Sequence, residues 1–505
     1  MALKQNIESL PMEVLRGVFS QMGDKESIKQ SRLVSRTFND AAAPYLIDEA
    51  HVRVTSKSLS RLEELCDHDI FSKSITDVTI LLSQYDVGMA ADRSLFMQDC
   101  NGRLLRNMEM RERMGAYKWR RIVAGRCGKR NPPFSYEDKN REEDLQREIE
   151  QQLWKLVYSN PVLLMVSEED FQEEEADPFQ KVAMRIHTRY KERCDDQERV
   201  RRGNSHVDRI CSALAKLPNL CNLLLHDPYL VVDDELQASD FPDLGYDRRM
   251  LEHFDCMLSP SRWCGSFTTN STIVPPVEML GELCARLGRS QIKPRSVCVK
   301  LNAPADLRRI TLSEDQQAGL KLLMSKATYA RLDVDGWERT RDGMGENDRP
   351  RDEMLALCSF TKPFFTAPKL EKLKIVFPTY TYHFNPPEVG ISDILPLESP
   401  WQHLDTLTLL YQPAKLEDLS ALVANQGNTI TNFRWDHTWL LTGRWDEAVE
   451  VLRGFRKLSK VSVDYPKGGC CKSPSSRIFK TPHEEICRYI LKETDVNPLI
   501  PEDTS

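Results

Sequence analysis

One hydrophobic pattern recurs along much of the chain: an apolar residue, two residues of any kind, then two apolar residues separated by one. Such alternation places every second side chain on the same face, which is typical of a strand with one buried side. The pattern occurs at Ile75/Val78/Ile80, Leu220/Leu223/Leu225, Tyr329/Leu332/Val334, Leu370/Leu373/Ile375, Leu404/Leu407/Leu409, Ile430/Phe433/Trp435 and Leu458/Val461/Val463. Val297, Val299 and Leu301 add a strand of the same alternation. The sequence therefore predicts a series of half-buried β-strands.

Helix-like segments precede five of these strands. Their apolar residues recur at helical spacing, within residues 207–214, 277–287, 320–323, 416–423 and 448–452. Ser313 and Gln316 have the spacing of a capping box ahead of the third segment. Helices that alternate with strands at a short period favour parallel strands with the helices outside the sheet.

The spacing of the later strands is that of an irregular repeat. Equivalent middle positions lie 41 residues apart from Leu332 to Leu373, then 34 to Leu407, 26 to Phe433 and 28 to Val461. Leucine-rich repeats have periods of about 20–29 residues, so the region resembles an irregular leucine-rich repeat with insertions. We predict an α/β fold class with such a solenoid over residues 49–466. A doubly wound α/β domain is the alternative, but the GxGxxG and GxxxxGK[ST] phosphate loops are absent from the sequence.

The first fifty residues have a different, helical pattern. Val14, Leu15, Val18, Phe19 and Met22 form one apolar stripe, with Pro11 predicted at the first helical position. Gly23 is predicted to end this helix and Asp24 to cap the next, whose stripe contains Ile28, Leu33, Val34 and Phe38. Two or three short helices cannot bury this much apolar surface alone. Either a partner or the rest of the chain must cover part of it.

This segment resembles an F-box. The matching pattern is Leu-Pro-x-Glu-hydrophobic-Leu, a hydrophobic-Phe pair, then Val-Ser-Arg followed by an aromatic residue and Asn. The residues in register are Leu10, Pro11, Glu13, Val14, Leu15, Val18, Phe19, Ile28, Leu33, Val34, Ser35, Arg36, Phe38 and Asn39. Together with the region that follows, the layout is similar to the fungal-type F-box proteins.

The resemblance implies that residues 1–48 form an F-box domain that docks on a Skp-type adaptor of a cullin–RING ubiquitin ligase. It assigns the adaptor contact to Leu10, Pro11, Val14, Leu15, Val18, Phe19, Ile28, Val34 and Phe38. Some of these residues belong to the internal core instead, and the sequence does not separate the two sets.

Composition limits the partners of the chain. The 505 residues carry a formal net charge of −7 with pI near 5.9, so no general attraction for nucleic acid is expected. No apolar run approaches the ~18 residues that a membrane helix needs. The N-terminus is interrupted by Lys4, Glu8 and Glu13 and lacks the apolar core of an export signal. The 14 Cys are therefore expected to be mostly free thiols of a cytoplasmic or nuclear protein.

Three segments interrupt the repeat. Between about 86 and 203 the strand pattern disappears and basic and acidic stretches alternate, which we interpret mainly as solvated faces that pair with one another. Residues 339–353 are predicted to be an exposed loop. The tail 467–505 is predicted to be only partly ordered, with a short helix at 482–492.

The predicted substrate face follows from the strand pattern. In a solenoid the residue between the last two apolar positions of each strand points to the concave side; these residues are Asp333, Lys374, Thr408, Arg434 and Ser462. Trp435 and Trp439 belong to a concentration of aromatic residues in the C-terminal third, and such residues are preferred anchors at binding surfaces. They are also good core residues, and this is the interpretation that the pattern favours.

Catalytic and metal sites are weakly indicated. Cys470, Cys471, His483 and Cys487 could bind zinc in principle, but adjacent cysteines do not have the usual spacing of zinc ligands. HExxH, GxSxG and kinase signatures are absent from the sequence. We predict no catalytic residue, no metal and no cofactor.

These patterns lead to one expectation and two alternatives for function. The expected function is the substrate-recognition subunit of an SCF-type ubiquitin ligase, which binds the adaptor, and through it a cullin, at one end and a protein substrate at the other. The first alternative is an F-box scaffold that acts outside a ligase. The second is an α/β enzyme with an unrecognised site.

Overall fold

A computed structural model gives the fold. It describes residues 7, 10–100, 102–103, 178–227, 255–261, 263, 276–290, 292–304, 306–335, 351–377, 389–398, 401–469 and 481–500. Most of the charged insertion and most of the loop predicted at 339–353 lie outside the described residues, as do Cys470 and Cys471.

The described strands form two parallel sheets. The strands are β1 (Glu49–Arg53), β2 (Asp77–Leu81), β3 (Asn222–His226), β4 (Ser296–Asn302), β5 (Tyr329–Asp335), β6 (Lys372–Val376), β7 (Thr406–Leu410), β8 (Pro413–Ala414), β9 (Asn432–Asp436), β10 (Trp439–Leu440), β11 (Lys460–Ser462) and β12 (Lys467–Gly468). The large sheet has nine strands in the order β1-β2-β3-β4-β5-β6-β7-β9-β11. The order across this sheet therefore follows the order along the chain. The three two-residue strands form a small second sheet in the order β12-β10-β8.

The described helices are α1 (Met12–Gln21), α2 (Lys25–Arg32), α3 (Arg36–Ala42), α4 (Ser56–Asp67), α5 (Phe71–Ser74), α6 (Val87–Ala91), α7 (Pro178–Arg201), α8 (Ser205–Leu214), α9 (Glu278–Arg289), α10 (Glu314–Met324), α11 (Arg351–Phe365), α12 (Ile391–Ile394), α13 (Leu416–Gln426), α14 (Trp445–Arg453) and α15 (His483–Ile490). The α/β prediction is confirmed at this level: a parallel sheet with helices between its strands. Each strand predicted from the alternation is present, and the sheet has one more, β1, which the pattern missed.

One face of the large sheet is buried and the other is open. Buried residues alternate with exposed or half-exposed ones along β3, β4, β6 and β7, as in Val297, Val299 and Leu301 of β4 or Leu407 and Leu409 of β7, whereas β2 is buried from Val78 to Leu81. The buried side chains join those of the helices in a single core. Strands that follow one another in the same direction through right-handed crossovers keep their helices on one side. The sequence pattern thus predicts which residues face the core.

The first three helices form a small bundle with its own core. Asp24 caps α2 by accepting hydrogen bonds from the backbone N–H groups of Glu26 and Ser27, as the sequence predicts. Ser35 caps α3 in the same way through the N–H of Phe38. Pro11, expected at the first helical position, is instead the N-cap residue of α1. The apolar core of this bundle is separate from that of the sheet.

One further prediction needs correction. The segment 339–353 was predicted to be a loop, but α11 begins at Arg351, because the apolar residues from Met354 onward pack into the sheet core. The tail was predicted to be only partly ordered, and α15 lies within it as expected. Beyond that helix the described residues continue to Ile500, with Leu499 buried in the core.

Gly319 permits a close approach of helices α9 and α10. A Cβ at Gly319 would lie 2.6 Å from Cα and 2.7 Å from the carbonyl oxygen of Ala285, both backbone atoms. We expect Gly319→Ala to destabilise the protein by about 1–3 kcal/mol, because the helices must move apart. Gly17 in α1 has no atom within 4 Å of its Cβ position, so Gly17→Ala is expected to stabilise by about 0.5–1 kcal/mol. Urea unfolding of both variants measures the change in the free energy of unfolding. A change of the same sign in both variants would contradict the close packing of α9 and α10 at Gly319.

His206 gives the fold a dependence on pH. Burial, followed by the nearby charge of Arg201, lowers the pKa of this imidazole from 6.5 to about 4. The unfolded chain takes up the proton below pH 6.5 and the folded chain does not, so stability is complete above pH 6.5 and falls as the pH drops toward 4. At pH 5 we expect a loss of about 2 kcal/mol relative to pH 7. His206→Gln should remove this component from the pH dependence of urea unfolding; an unchanged slope would contradict it.

Candidate functional site

The bundle divides the predicted adaptor-contact residues into an inner and an outer set. Leu15, Phe19 and Ile28 are buried in the bundle core, so their assignment to the contact surface is corrected. They face inward because α3 packs against α1 and α2 on that side. The ring of Phe38 is half-buried and meets that of Phe19 edge to face at 5.7 Å, and Leu10 also packs against this core.

The outer set consists of exposed apolar side chains on α1 and just after α2. Val14 and Val18 are 47% and 48% exposed, and Leu33 and Val34 are 81% and 65% exposed. Pro11, also exposed, precedes Val14 on the same helical face. These five residues are termed the N-terminal apolar surface. Exposed side chains of this size, grouped on a small module, mark sites of protein contact more often than isolated ones do.

The bundle is tied to the sheet by polar contacts. Lys25 Nζ donates a hydrogen bond of 2.6 Å to the carbonyl oxygen of Tyr45 and lies 2.9 Å from the carboxylate of Asp48. A cavity of about 520 Å³ lies beside this contact, lined by both the bundle and the segment before β2. The N-terminal apolar surface does not line this cavity, so its side chains remain available to a partner.

The open face of the sheet contains the other candidate residues. The strand register places Arg331, Lys374, Thr408, Arg434 and Ser462 side by side on neighbouring strands. These five residues are termed the central row. The sequence assigned Asp333 to this row, but Asp333 pairs with Val376 and lies two residues further along β5. The error arises because Ala330, Leu332 and Val334 are all buried. The last two apolar positions of the pattern can therefore be read as Leu332 and Val334 or as Ala330 and Leu332, and the strand register selects the second pair.

Two ion pairs brace the central row. Arg331 donates hydrogen bonds of 2.9 Å from Nε to both carboxylate oxygens of Asp333, and Arg434 donates from Nε to Asp436. Both carboxylates are buried. The bond to Asp333 raises the pKa of Arg331, so its guanidinium stays charged. Ser462 Oγ donates a 2.7 Å hydrogen bond to Asp436, which fixes the end of the row.

Trp435 and Trp439 do not form a binding surface. Trp435 is fully buried because it alternates inward with Phe433; its indole N–H donates a 3.0 Å hydrogen bond to the carbonyl of Gln412, and its ring packs on Trp445 at 5.2 Å. Trp439 is half-buried in β10, beside Gly468 of β12. The assignment of Trp435 to substrate binding is therefore wrong, and Trp439 lies in the small sheet outside the central row.

An aromatic stack at the strand ends was missed by the sequence analysis. The stack follows the last three strands of the large sheet, with Tyr411 after β7, His437 after β9 and Tyr465 after β11. Their φ angles of 61°, 51° and 49° lie in the left-handed region. Their rings stack face to face, at 4.6 Å between the first two and 4.4 Å between the last two. The aromatic spacing was visible in the sequence, but the left-handed backbone that aligns the rings was not. Tyr465 is 65% exposed and ends the stack.

Of the four zinc candidates, the structure describes His483 and Cys487, while Cys470 and Cys471 lie outside the described residues. His483 Nδ1 lies 3.0 Å from the carboxylate of Asp464 and 3.0 Å from the carbonyl of Val463. Burial raises the pKa of the neighbouring Cys487 thiol to about 11, which keeps it protonated. Within the described part of the chain, no cluster of three or more His, Cys, Asp or Glu side chains could hold a metal ion.

Comparison with known proteins adds no family assignment. No protein-family model matches the chain. A search of curated proteins finds no matching sequence. Among the described helices, none combines the length and apolarity needed to cross a bilayer.

Proposed function

We propose that this chain is the substrate-recognition subunit of an SCF-type cullin–RING ubiquitin ligase. The observation that carries the proposal is the N-terminal apolar surface. Its five residues all occupy positions of the F-box pattern, on a helical bundle with a core of its own. The occupant that this pattern indicates is a Skp-type adaptor.

The division into inner and outer residues supports this proposal. Leu15, Phe19 and Ile28 give the bundle its core, so the exposed valines and Leu33 are not needed to hold it together. Burying apolar surface against a partner contributes about 25 cal/mol per Å². Pro11 and Val14 come from the start of α1, and Leu33 and Val34 come from the loop after α2. The N-terminal apolar surface therefore offers a partner apolar side chains from two elements.

We further propose that the sheet and its helices form an irregular leucine-rich-repeat-like solenoid. Sequential strand order and helices on one side are what such a stack requires. An all-parallel sheet in an ordinary α/β domain is covered on both faces. Here most outward residues of the strands from β4 to β11 remain at least partly exposed among the described residues, apart from Asn302, Asp333 and Asp436, which favours a solenoid with a face open to substrate.

The proposed mechanism is one of proximity. The bundle attaches the chain to the adaptor and cullin, and the open face holds a protein substrate near the ubiquitin-loading subunits. Holding two reactants in position replaces an encounter between them by an intramolecular step. In this account the chain contributes binding and orientation, and the ubiquitin chemistry belongs to its partners.

Affinity purification with mass spectrometry under proteasome inhibition tests this proposal. Wild-type chain is expected to recover both adaptor and cullin, together with ubiquitin-modified substrate. The matched variant carries Val14→Asp and Val18→Asp and should recover neither adaptor nor cullin. Recovery of adaptor without cullin would indicate a scaffold outside a ligase and would overturn the ligase assignment.

A further inference from the structure

The open face of the sheet is positively charged on a protein that is negative overall. From β4 to β11, three cross-strand rows contain the cations Lys300, Arg331, Lys372, Lys374, Arg434 and Lys460. The same three rows contain two carboxylates, Asp333 and Asp436, and two more, Asp335 at the end of β5 and Asp464 just after β11, lie next to them, which leaves six cations against four carboxylates. The whole chain has a net charge of −7, so this excess of cations is a local property of the face.

Lys374, at the centre of the face, forms no ion pair with any of the residues that the structure describes. Arg331 and Arg434 are each paired with an aspartate two residues further along the same strand. Within the described residues, no carboxylate lies within ion-pair distance of Lys374. Partial burial, and then the charges of Arg331, Arg434 and Lys300, lower the pKa of Lys374, while Asp333 acts in the opposite direction. Lys374 therefore lies among other positive charges, and a bound anion would stabilise its charged form.

The spacing of the central row suits an extended polypeptide. Neighbouring strands lie about 4.8 Å apart, so Lys374 is one strand from Arg331 and two strands, about 9.6 Å, from Arg434. An extended chain presents a side chain to the same side about every 6.7 Å. Flexible Lys and Arg side chains can bridge the difference, and the Thr408 hydroxyl lies between Lys374 and Arg434.

We propose that the central row binds an acidic, extended segment of a protein, lying across the strands with a carboxylate against Lys374 and others toward Arg331 and Arg434. This inference rests on the proposed function and names the class of substrate. A polyphosphate chain fits less well, because Asp333 and Asp436 lie in the adjoining row and would repel a continuous line of charge. The acidic residues that a protein segment presents can alternate with neutral ones and avoid both aspartates.

The test is fluorescence anisotropy of the full-length chain with a labelled short peptide of alternating Glu and Ser. We expect binding that weakens with added salt, and no binding of the matched peptide of alternating Lys and Ser. Lys374→Glu should weaken binding of the Glu-Ser peptide by at least about tenfold. Lys321→Glu makes the same charge change on the exposed side of α10 and should alter it by less than about twofold.

Several outcomes would overturn the proposal. These are no binding of the Glu-Ser peptide to wild-type chain, equal binding by Lys374→Glu, or preferential binding of single-stranded oligonucleotide. Capture of a phosphoserine peptide without capture of the Glu-Ser peptide would also overturn it, in favour of a phosphorylated ligand. Thermal unfolding of Lys374→Glu and of Lys374→Gln establishes that the variants are folded.

Adaptor binding, measured on the same preparations, separates this inference from the proposed function. If Lys374→Glu loses the peptide and retains the adaptor, both stand. If the chain binds the peptide through Lys374 but never binds the adaptor, the acidic-segment site stands and the ligase assignment fails.

Discussion

Replacing Val14 and Val18 with aspartate is expected to abolish binding of a Skp-type adaptor and to leave the fold intact. Both side chains lie on the exposed face of α1, so the carboxylates remain hydrated in the free chain. In a complex that buries this surface, each charge would lose its water without gaining a partner, at a cost of several kcal/mol. We expect affinity, measured by isothermal titration calorimetry, to fall by more than about 100-fold.

The controls for this prediction use the same helix. Ser20→Asp places a single carboxylate on the opposite, exposed side of α1, the same change in charge as either valine substitution alone, and should leave adaptor affinity within about threefold of wild type. Phe19→Asp, in contrast, introduces a carboxylate into the bundle core and should unfold the bundle. Wild-type affinity in the Val14→Asp, Val18→Asp chain would show that the N-terminal apolar surface is not the contact.

Trp435→Ala is expected to lower the free energy of unfolding by about 3–5 kcal/mol. The indole fills the core beneath β9, packs on Trp445 and satisfies the carbonyl of Gln412. Truncation leaves a cavity in the core, which destabilises the fold, and removes one of the two hydrogen bonds to the carbonyl of Gln412, the other being donated by Thr438 Oγ1. Trp439→Ala, at a half-buried position in the small sheet, should cost less than half as much.

Urea unfolding of the two tryptophan variants measures this difference. Substrate or peptide affinity of any Trp435→Ala molecule that remains folded should stay close to that of wild type, because the side chain does not reach the open face. Lost affinity with unchanged stability would place Trp435 at the binding surface after all.

The strands of the large sheet could be predicted because their burial is one-sided. Alternation identifies a strand when all of its inward-facing residues are apolar, as with Leu373 and Ile375 of β6. It fails for β1, where only Ala50 and Val52 are buried between polar residues. It also misplaced the frame of β5 by two residues, because register depends on the neighbouring strands and not on the strand alone.

The candidate surfaces could be predicted only in part. On α1 both Val14 and Leu15 are apolar, and which of them faces inward depends on where α3 packs. The central row was nearly complete in the sequence, but its charge balance depends on pairings such as that of Arg434 with Asp436. Likewise, the stack of Tyr411, His437 and Tyr465 exists only because adjacent strands end in the same left-handed conformation.

Size-exclusion chromatography with light scattering, on a mixture of purified full-length chain, Skp-type adaptor and cullin, tests the central claim most directly. The proposed function predicts a single complex that contains all three proteins in equal numbers, and its disappearance with the Val14→Asp, Val18→Asp chain. Elution of the wild-type chain apart from the adaptor at every mixing ratio would contradict the claim.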